Sequence, residues 1–214
     1  MATEEPVEAS AWAPPATRGS WFESALLSAG FGSIAGMLAG LLWGGVGGRV
    51  AMRILFLTSD EHVRGLTSDD GFEIGIISGA TVFLLLFTGF LGAAAGFVYG
   101  GVRMVTAGPR WARALGVGVA VAASGGAGIV HVDGVDFRLI EPLWLAVGLF
   151  VVIPGLWGVS VVLLTEWLGR PGVLSRTVPA EIQGIRWGAL GWLVLGVITV
   201  LGVRDLVDDV SRLT

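Results

Sequence analysis

Three residue types are missing from this 214-residue sequence, which contains no cysteine, no lysine and no asparagine. Without cysteine the chain forms no disulfide, zinc–cysteine site or iron–sulfur cluster and offers no thiol nucleophile. Without lysine it forms no retinal or pyridoxal Schiff base and has no phosphate-loop lysine. Several large enzyme classes are therefore excluded. Because lysine and asparagine have A-rich codons, their absence also indicates a GC-rich bacterial genome.

Charged residues are scarce as well, at 14% of the chain against 54% hydrophobic residues. A typical soluble domain has about 25% charged residues, so a soluble globular enzyme is excluded. The formal net charge of −4 leaves no basic surface for a nucleic acid partner. The composition instead predicts an integral membrane protein whose main partner is the lipid bilayer.

Five apolar blocks follow one another, and each can supply the roughly 20 residues that a helix needs to cross the bilayer. The sequence therefore predicts an all-α bundle of five transmembrane helices. The domain from residue 20 to residue 203 is predicted to contain spans at about residues 22–48, 72–102, 111–131, 142–168 and 185–203.

Two short segments flank this domain. Residues 1–19 are acidic and rich in proline and alanine, which predicts a disordered tail rather than a signal peptide with a basic start. Residues 204–214 are predicted to form a short amphipathic segment that lies along the membrane surface or docks a partner. Its apolar face would contain Leu206, Val207, Val210 and Leu213.

The distribution of arginine bears on orientation, because cytoplasmic loops carry an excess of basic residues. An N-terminus inside the cell places seven arginines in the cytoplasm and six outside, with a dense cluster at residues 103–113. We therefore predict a protein of the bacterial cytoplasmic membrane with a cytoplasmic N-terminus.

The most regular pattern is a row of glycines spaced by four residues. Such GxxxG rows let membrane helices pack closely, so we predict that these glycines form helix-packing faces, within one subunit or in a homo-oligomer. The predicted packing residues are Gly32, Gly36, Gly40, Gly44, Gly48, Gly92, Gly96 and Gly100. A similar row in the third span contains Gly116, Ala120, Ser124 and Gly128.

The first two spans also resemble each other. Residues 39–46 (AGLLWGGV) and 95–102 (AGFVYGGV) are identical at five of eight positions. Since consecutive spans run antiparallel, these segments would form an inverted repeat, a device that is common in secondary transporters. Chance matches between glycine-rich spans are the alternative.

Two groups of polar residues are candidate sites near the span ends. His62, His131 and Asp133 would reach the same side of the membrane, where they are candidate metal ligands or ordinary loop residues. Arg49 and Arg53 lie one helical turn apart and are candidates for contact with an anion or a lipid headgroup. The alternative is that their side chains simply extend from the helix end to the membrane interface.

Three stretches resemble uncharacterised multi-pass membrane proteins of GC-rich bacteria. They are residues 47–53, 69–75 and 136–142, and the resemblance covers about residues 40–155. It implies a membrane protein family with no assigned reaction, so it supplies no site residues and no cofactor.

The sequence contains no catalytic constellation and implies no cofactor, so we do not expect an enzyme. Between the acids and arginines at their ends, the span cores contain no ionisable residue, which argues against ion-coupled transport. The sequence therefore predicts a structural or accessory membrane component. The alternative is a channel or facilitator with a glycine-lined path, opened where glycine runs or Pro154 interrupt helices.

Overall fold

A computed structural model describes residues 18–58, 79–130, 142–169 and 185–213, and within these ranges the chain forms helices and no strands. Five helical stretches are long and apolar enough to cross a membrane, so the chain is a multi-pass membrane protein, as the sequence predicts. The elements are α1 (Arg18–Ala39), a π segment of π-helix (Gly40–Gly47), α2 (Gly48–Thr58), α3 (Gly79–Val105), α4 (Arg110–Ile129), α5 (Leu143–Leu168) and α6 (Ile185–Leu213).

The first helical stretch is longer than the predicted span of residues 22–48. The π segment widens the helix without breaking it, and α2 continues to Thr58. The continuation is stabilised by burial of Ala51 and Leu55, which lie one helical turn apart on the same face. The 34 residues from Ala25 to Thr58 would measure about 50 Å, so this stretch must tilt or extend beyond the hydrocarbon layer.

The last helix also continues past its predicted end at residue 203. Residues 204–213 belong to α6 without a break and do not form a separate segment. Leu206, Val210 and Leu213 pack against a second buried cluster formed by Leu55, Val130 and Ala146. The apolar face predicted for the C-terminus is therefore largely covered by the chain itself, although Val207 remains exposed.

The helices form a bundle in which α1 packs mainly against α3 and α4 packs mainly against α5 and α6. Contacts between α1 and α5 join these two groups. Because successive spans run antiparallel, the ends of α3 and α5 lie beside the starts of α1, α4 and α6. We call this end of the bundle, near Arg103 and Arg113, the arginine end, and the end near Thr58 and Leu213 the opposite end.

Small residues occupy the interior and large apolar residues the surface. Phe90, Leu86 and Val200 are each at least two thirds exposed. Such side chains would form unfavourable patches in water but are normal where lipid is the solvent. The main core contains Ala35, Tyr99, Ala114, Val117, Ala120, Val161, Val162 and Leu195.

Candidate functional site

Three charged side chains from three helices meet at the arginine end. Arg103 of α3 donates from Nε to Glu166 Oε1 of α5 at 2.9 Å, and its Nη2 lies 3.5 Å from Glu166 Oε2. Arg113 of α4 places Nη2 at 2.9 Å from the same Oε1 atom. One carboxylate therefore connects two arginines and, through them, joins the ends of three helices. We call these three residues the ion cluster.

The turn between α3 and α4 brings the two arginines together. Gly108 adopts a φ of +124°, a backbone conformation that residues other than glycine rarely adopt. Pro109 then precedes the first residue of α4 in extended conformation, where its missing N–H costs nothing. Trp192 of α6 donates from Nε1 to the Ala107 carbonyl at 2.8 Å and so anchors the turn.

The ion cluster is largely shielded and carries an excess of positive charge. The Arg103, Arg113 and Glu166 side chains are 13%, 16% and 19% exposed. Tyr99, one turn before Arg103, is 5% exposed and belongs to the same buried cluster as Ala114, the residue after Arg113. Within the described residues, Tyr99 Oη and Arg113 Nε are buried atoms without a hydrogen-bond partner. Arg113 Nε and the adjacent Tyr99 hydroxyl are therefore hydrogen-bond donors that no described residue uses.

The ion cluster was not predicted from the sequence. The span cores were expected to be free of ionisable residues, but Glu166 lies in the last turn of α5, within the predicted span 142–168. The predicted topology did place Leu168 at the same end as the arginines of residues 103–113. An isolated acid in the last turn of an apolar span, level with two arginines of neighbouring helices, was the signal that could have revealed it.

The glycine rows of α1 and α3 lie against each other. A Cβ built on Gly36 would overlap the Gly92 carbonyl oxygen and lie 2.8 Å from Gly96 Cα. A Cβ on Gly96 would in turn overlap the Gly32 carbonyl oxygen. At this distance a Cβ on either glycine would force the two backbones to move apart.

The remaining predicted glycines differ in their surroundings. Gly40 and Gly44 lie against Thr88, and Gly100 lies against Ser28 and Ala29 of α1. Ser28 Oγ also donates to the Gly100 carbonyl at 3.0 Å. A Cβ on Gly48, by contrast, would meet nothing within 4 Å. The close contact therefore runs from Ser28 to the π segment and ends before Gly48.

A second small-residue face, which the sequence analysis missed, joins α4 to α5. A Cβ on Gly158 would lie 3.0 Å from Gly118 Cα, and one on Gly125 would lie 2.8 Å from Pro154 Cβ. In the predicted row of α4, Gly116 faces the Trp192 ring of α6. Glycines occur on several sides of α4, so spacing alone does not show which of them faces α5.

The register of the contact between α1 and α3 can be compared with the weak sequence repeat. In that repeat residue 39 aligns with residue 95, an offset of 56. Gly36 lies opposite Gly92, its own counterpart at this offset. At the same offset Gly32 corresponds to Thr88 and Gly96 corresponds to Gly40. Gly32 contacts Gly96, and Thr88 contacts Gly40. Any antiparallel pair of helices has contacts that are related in this way, so the inverted repeat remains a prediction.

Hydrogen bonds tie α5 to the first helical stretch near the middle of the bundle. Trp43 of the π segment donates from Nε1 to Ser160 Oγ at 2.8 Å, and Trp157 donates from Nε1 to the Gly36 carbonyl at 3.1 Å. Gly125–Gly128 and Pro154 both lie within continuous helices. Gly125–Gly128 and Pro154 therefore do not interrupt α4 and α5, whereas the glycine run Gly44–Gly48 lies where the π segment passes into α2.

The other predicted site residues have different outcomes. Arg49 and Arg53 lie one turn apart on α2; Arg49 is half-buried, and exposed Arg53 lies 5.2 Å from the Phe56 ring centroid. Their contact with an anion or a headgroup remains a prediction. The candidate metal ligands His62, His131 and Asp133 lie outside the described residues. Within the described ranges, no three histidine or acidic side chains come together.

Comparison of the chain with protein-family models, with curated proteins and with solved structures finds no match. Any functional conclusion must therefore come from the geometry of the chain itself.

Proposed function

We propose that the protein is a structural or accessory component of a membrane, without a catalytic site of its own. The observation that carries this proposal is the contact between the α1 and α3 glycine rows. The backbone of each helix occupies the space where side chains on the other helix would otherwise lie. Lipid provides no hydrophobic force between helices, so such close packing is what can hold them in a fixed arrangement.

The placement of charge supports the same proposal. In the described parts of the spans, the ionisable side chains lie near the ends, and the arginine end is held by the ion cluster. Proton relays and ion-coupled carriers use ionisable groups within the bundle. A rigid bundle with an apolar middle is better suited to holding or positioning another component than to moving ions.

The alternative is a channel or facilitator with a glycine-lined path. The described geometry favours it less, because the α1 and α3 glycines contact each other rather than a lumen. The same contacts occupy the faces that a homo-oligomer would need for a glycine zipper. A path would have to run along other helix faces or between copies of the chain.

Flux measurements test the proposal against this alternative. Proteoliposomes should show proton, potassium and glycerol fluxes equal to those of protein-free vesicles, while the mass of the protein in nanodiscs defines its oligomeric state. Flux that requires the protein would contradict the structural proposal. If flux occurred and the glycines lined the path, Gly32→Ala would change it more than Gly30→Ala, since a Cβ at Gly30 meets nothing within 4 Å.

We further propose that the arginine end faces the cytoplasm of a bacterial cell, because basic residues concentrate there. The chain lacks cysteine, so single cysteines at exposed Ala107 and exposed Thr58 can report the orientation. A membrane-impermeant maleimide should label Thr58→Cys in intact cells and Ala107→Cys only after permeabilisation. The reverse pattern would overturn the assignment.

A further inference from the structure

Two buried polar atoms at the ion cluster have no hydrogen-bond partner in the part of the chain that the structure describes. Arg113 Nε can only donate a hydrogen bond, and the Tyr99 hydroxyl can donate one; both are buried without a partner among the described residues. Leaving such groups unsatisfied is costly in a shielded environment. Each of the two atoms would be satisfied by an oxygen that accepts a hydrogen bond.

The charge around these atoms favours an anion over water. Arg103 and Arg113 share a single carboxylate, so the ion cluster has one positive charge in excess. Exposed Arg110 and the positive end of the α4 helix dipole lie beside it. Water could accept the hydrogen bonds, but it would leave this charge uncompensated.

The position of the ion cluster in the membrane indicates which type of anion would bind there. It lies at the ends of three spans, and the nearby indoles of Trp111 and Trp167 are 64% and 65% exposed. Tryptophan is enriched at the membrane–water interface, where lipid phosphates also lie. Basic pockets between spans at this depth suit anionic headgroups.

We propose that the ion cluster and Tyr99 form a binding site for an anionic phosphate group, supplied by a lipid headgroup or by free phosphate. Arg113 Nε and Tyr99 Oη donate to the phosphate oxygens, while Glu166 keeps both arginines in place. The site is separate from the predicted Arg49 and Arg53 contact at the opposite end. It does not depend on the structural role proposed above.

Titration of the full-length protein in detergent tests this site. The probes are short-chain phosphatidylglycerol, short-chain phosphatidylcholine and inorganic phosphate, and thermal unfolding gives the dissociation constants. We expect phosphatidylglycerol to bind more tightly than phosphatidylcholine. Tyr99→Phe and Arg113→Gln should each weaken phosphatidylglycerol binding roughly tenfold, as expected when one hydrogen bond to a charged group is lost.

Tyr99→Phe keeps the proposal falsifiable if Arg113→Gln fails to fold. Without phosphate, losing an unpartnered hydroxyl should leave stability unchanged or raise it. Unchanged phosphatidylglycerol binding by Tyr99→Phe would overturn the proposal. So would an equal weakening by the control Arg204→Gln, because Arg204 is exposed at the opposite end. Inorganic phosphate binding as tightly as phosphatidylglycerol would support the same site and assign it to free phosphate.

Discussion

Replacing Gly36 by alanine is expected to destabilise the protein by about 2 kcal/mol. The new methyl group would overlap the Gly92 carbonyl oxygen, and a backbone atom cannot move aside as a side chain can. Overpacking costs about 1–3 kcal/mol, here at the upper end, and the better helix propensity of alanine offsets about 1 kcal/mol of that. The free energy of unfolding in mixed micelles, with denaturing detergent as titrant, measures the change.

Gly30→Ala and Gly101→Ala are the matched controls for this experiment. Both residues belong to the same two helices, but a Cβ at either position meets nothing within 4 Å. We expect each control to remain within about 0.5 kcal/mol of the wild type, or to be slightly more stable. Equal destabilisation by Gly30→Ala and Gly36→Ala would show that the α1–α3 contact does not determine stability.

The substitution Glu166→Gln is expected to have an effect of similar or larger size. It retains the shape of the side chain but removes the charge that holds Arg103 and Arg113 together. Removing one partner of a buried ion pair costs about 3–5 kcal/mol. Since these side chains keep 13–19% exposure, we expect a loss of about 2–3 kcal/mol in the free energy of unfolding.

A double-mutant cycle separates this interaction from general damage. Arg103→Gln combined with Glu166→Gln should cost at least about 1 kcal/mol less than the sum of the two single changes, because the residues are in contact. Asp205→Asn, at an exposed acid near the opposite end, should change stability by less than about 0.5 kcal/mol. Additive costs in the cycle would refute a direct interaction between Arg103 and Glu166.

Much of the fold could be predicted because span-length apolar blocks are a strong signal. The predicted span 142–168 differs from α5 by one residue at its start, and 111–131 overlaps α4 closely. The helices continue beyond the predicted span ends at Gly48 and residue 203, to Thr58 and Leu213. Helices continue past charged residues where an apolar face remains to be buried, as Leu55 and Leu206 show.

The candidate site was harder to predict from the sequence. Arg103 and Arg113 were recognised as part of a basic cluster, but Glu166 and Tyr99 were overlooked because each lies within an apolar stretch. The role of Glu166 depends on residues of α3 and α4 that precede it by 53 or more positions in the chain. Only the antiparallel arrangement of α3, α4 and α5 brings these side chains together.

The sequence by itself determined that the chain crosses a membrane, because apolar length and the absence of charge in the span cores are local properties that any bilayer selects. It also determined that glycines would permit close helix contacts. The tertiary structure decided which glycines are in contact: Gly36 lies against Gly92, whereas Gly48 faces open space. It likewise decided that Glu166 joins two arginines, because helix rotation and register are set by the packing of the whole bundle.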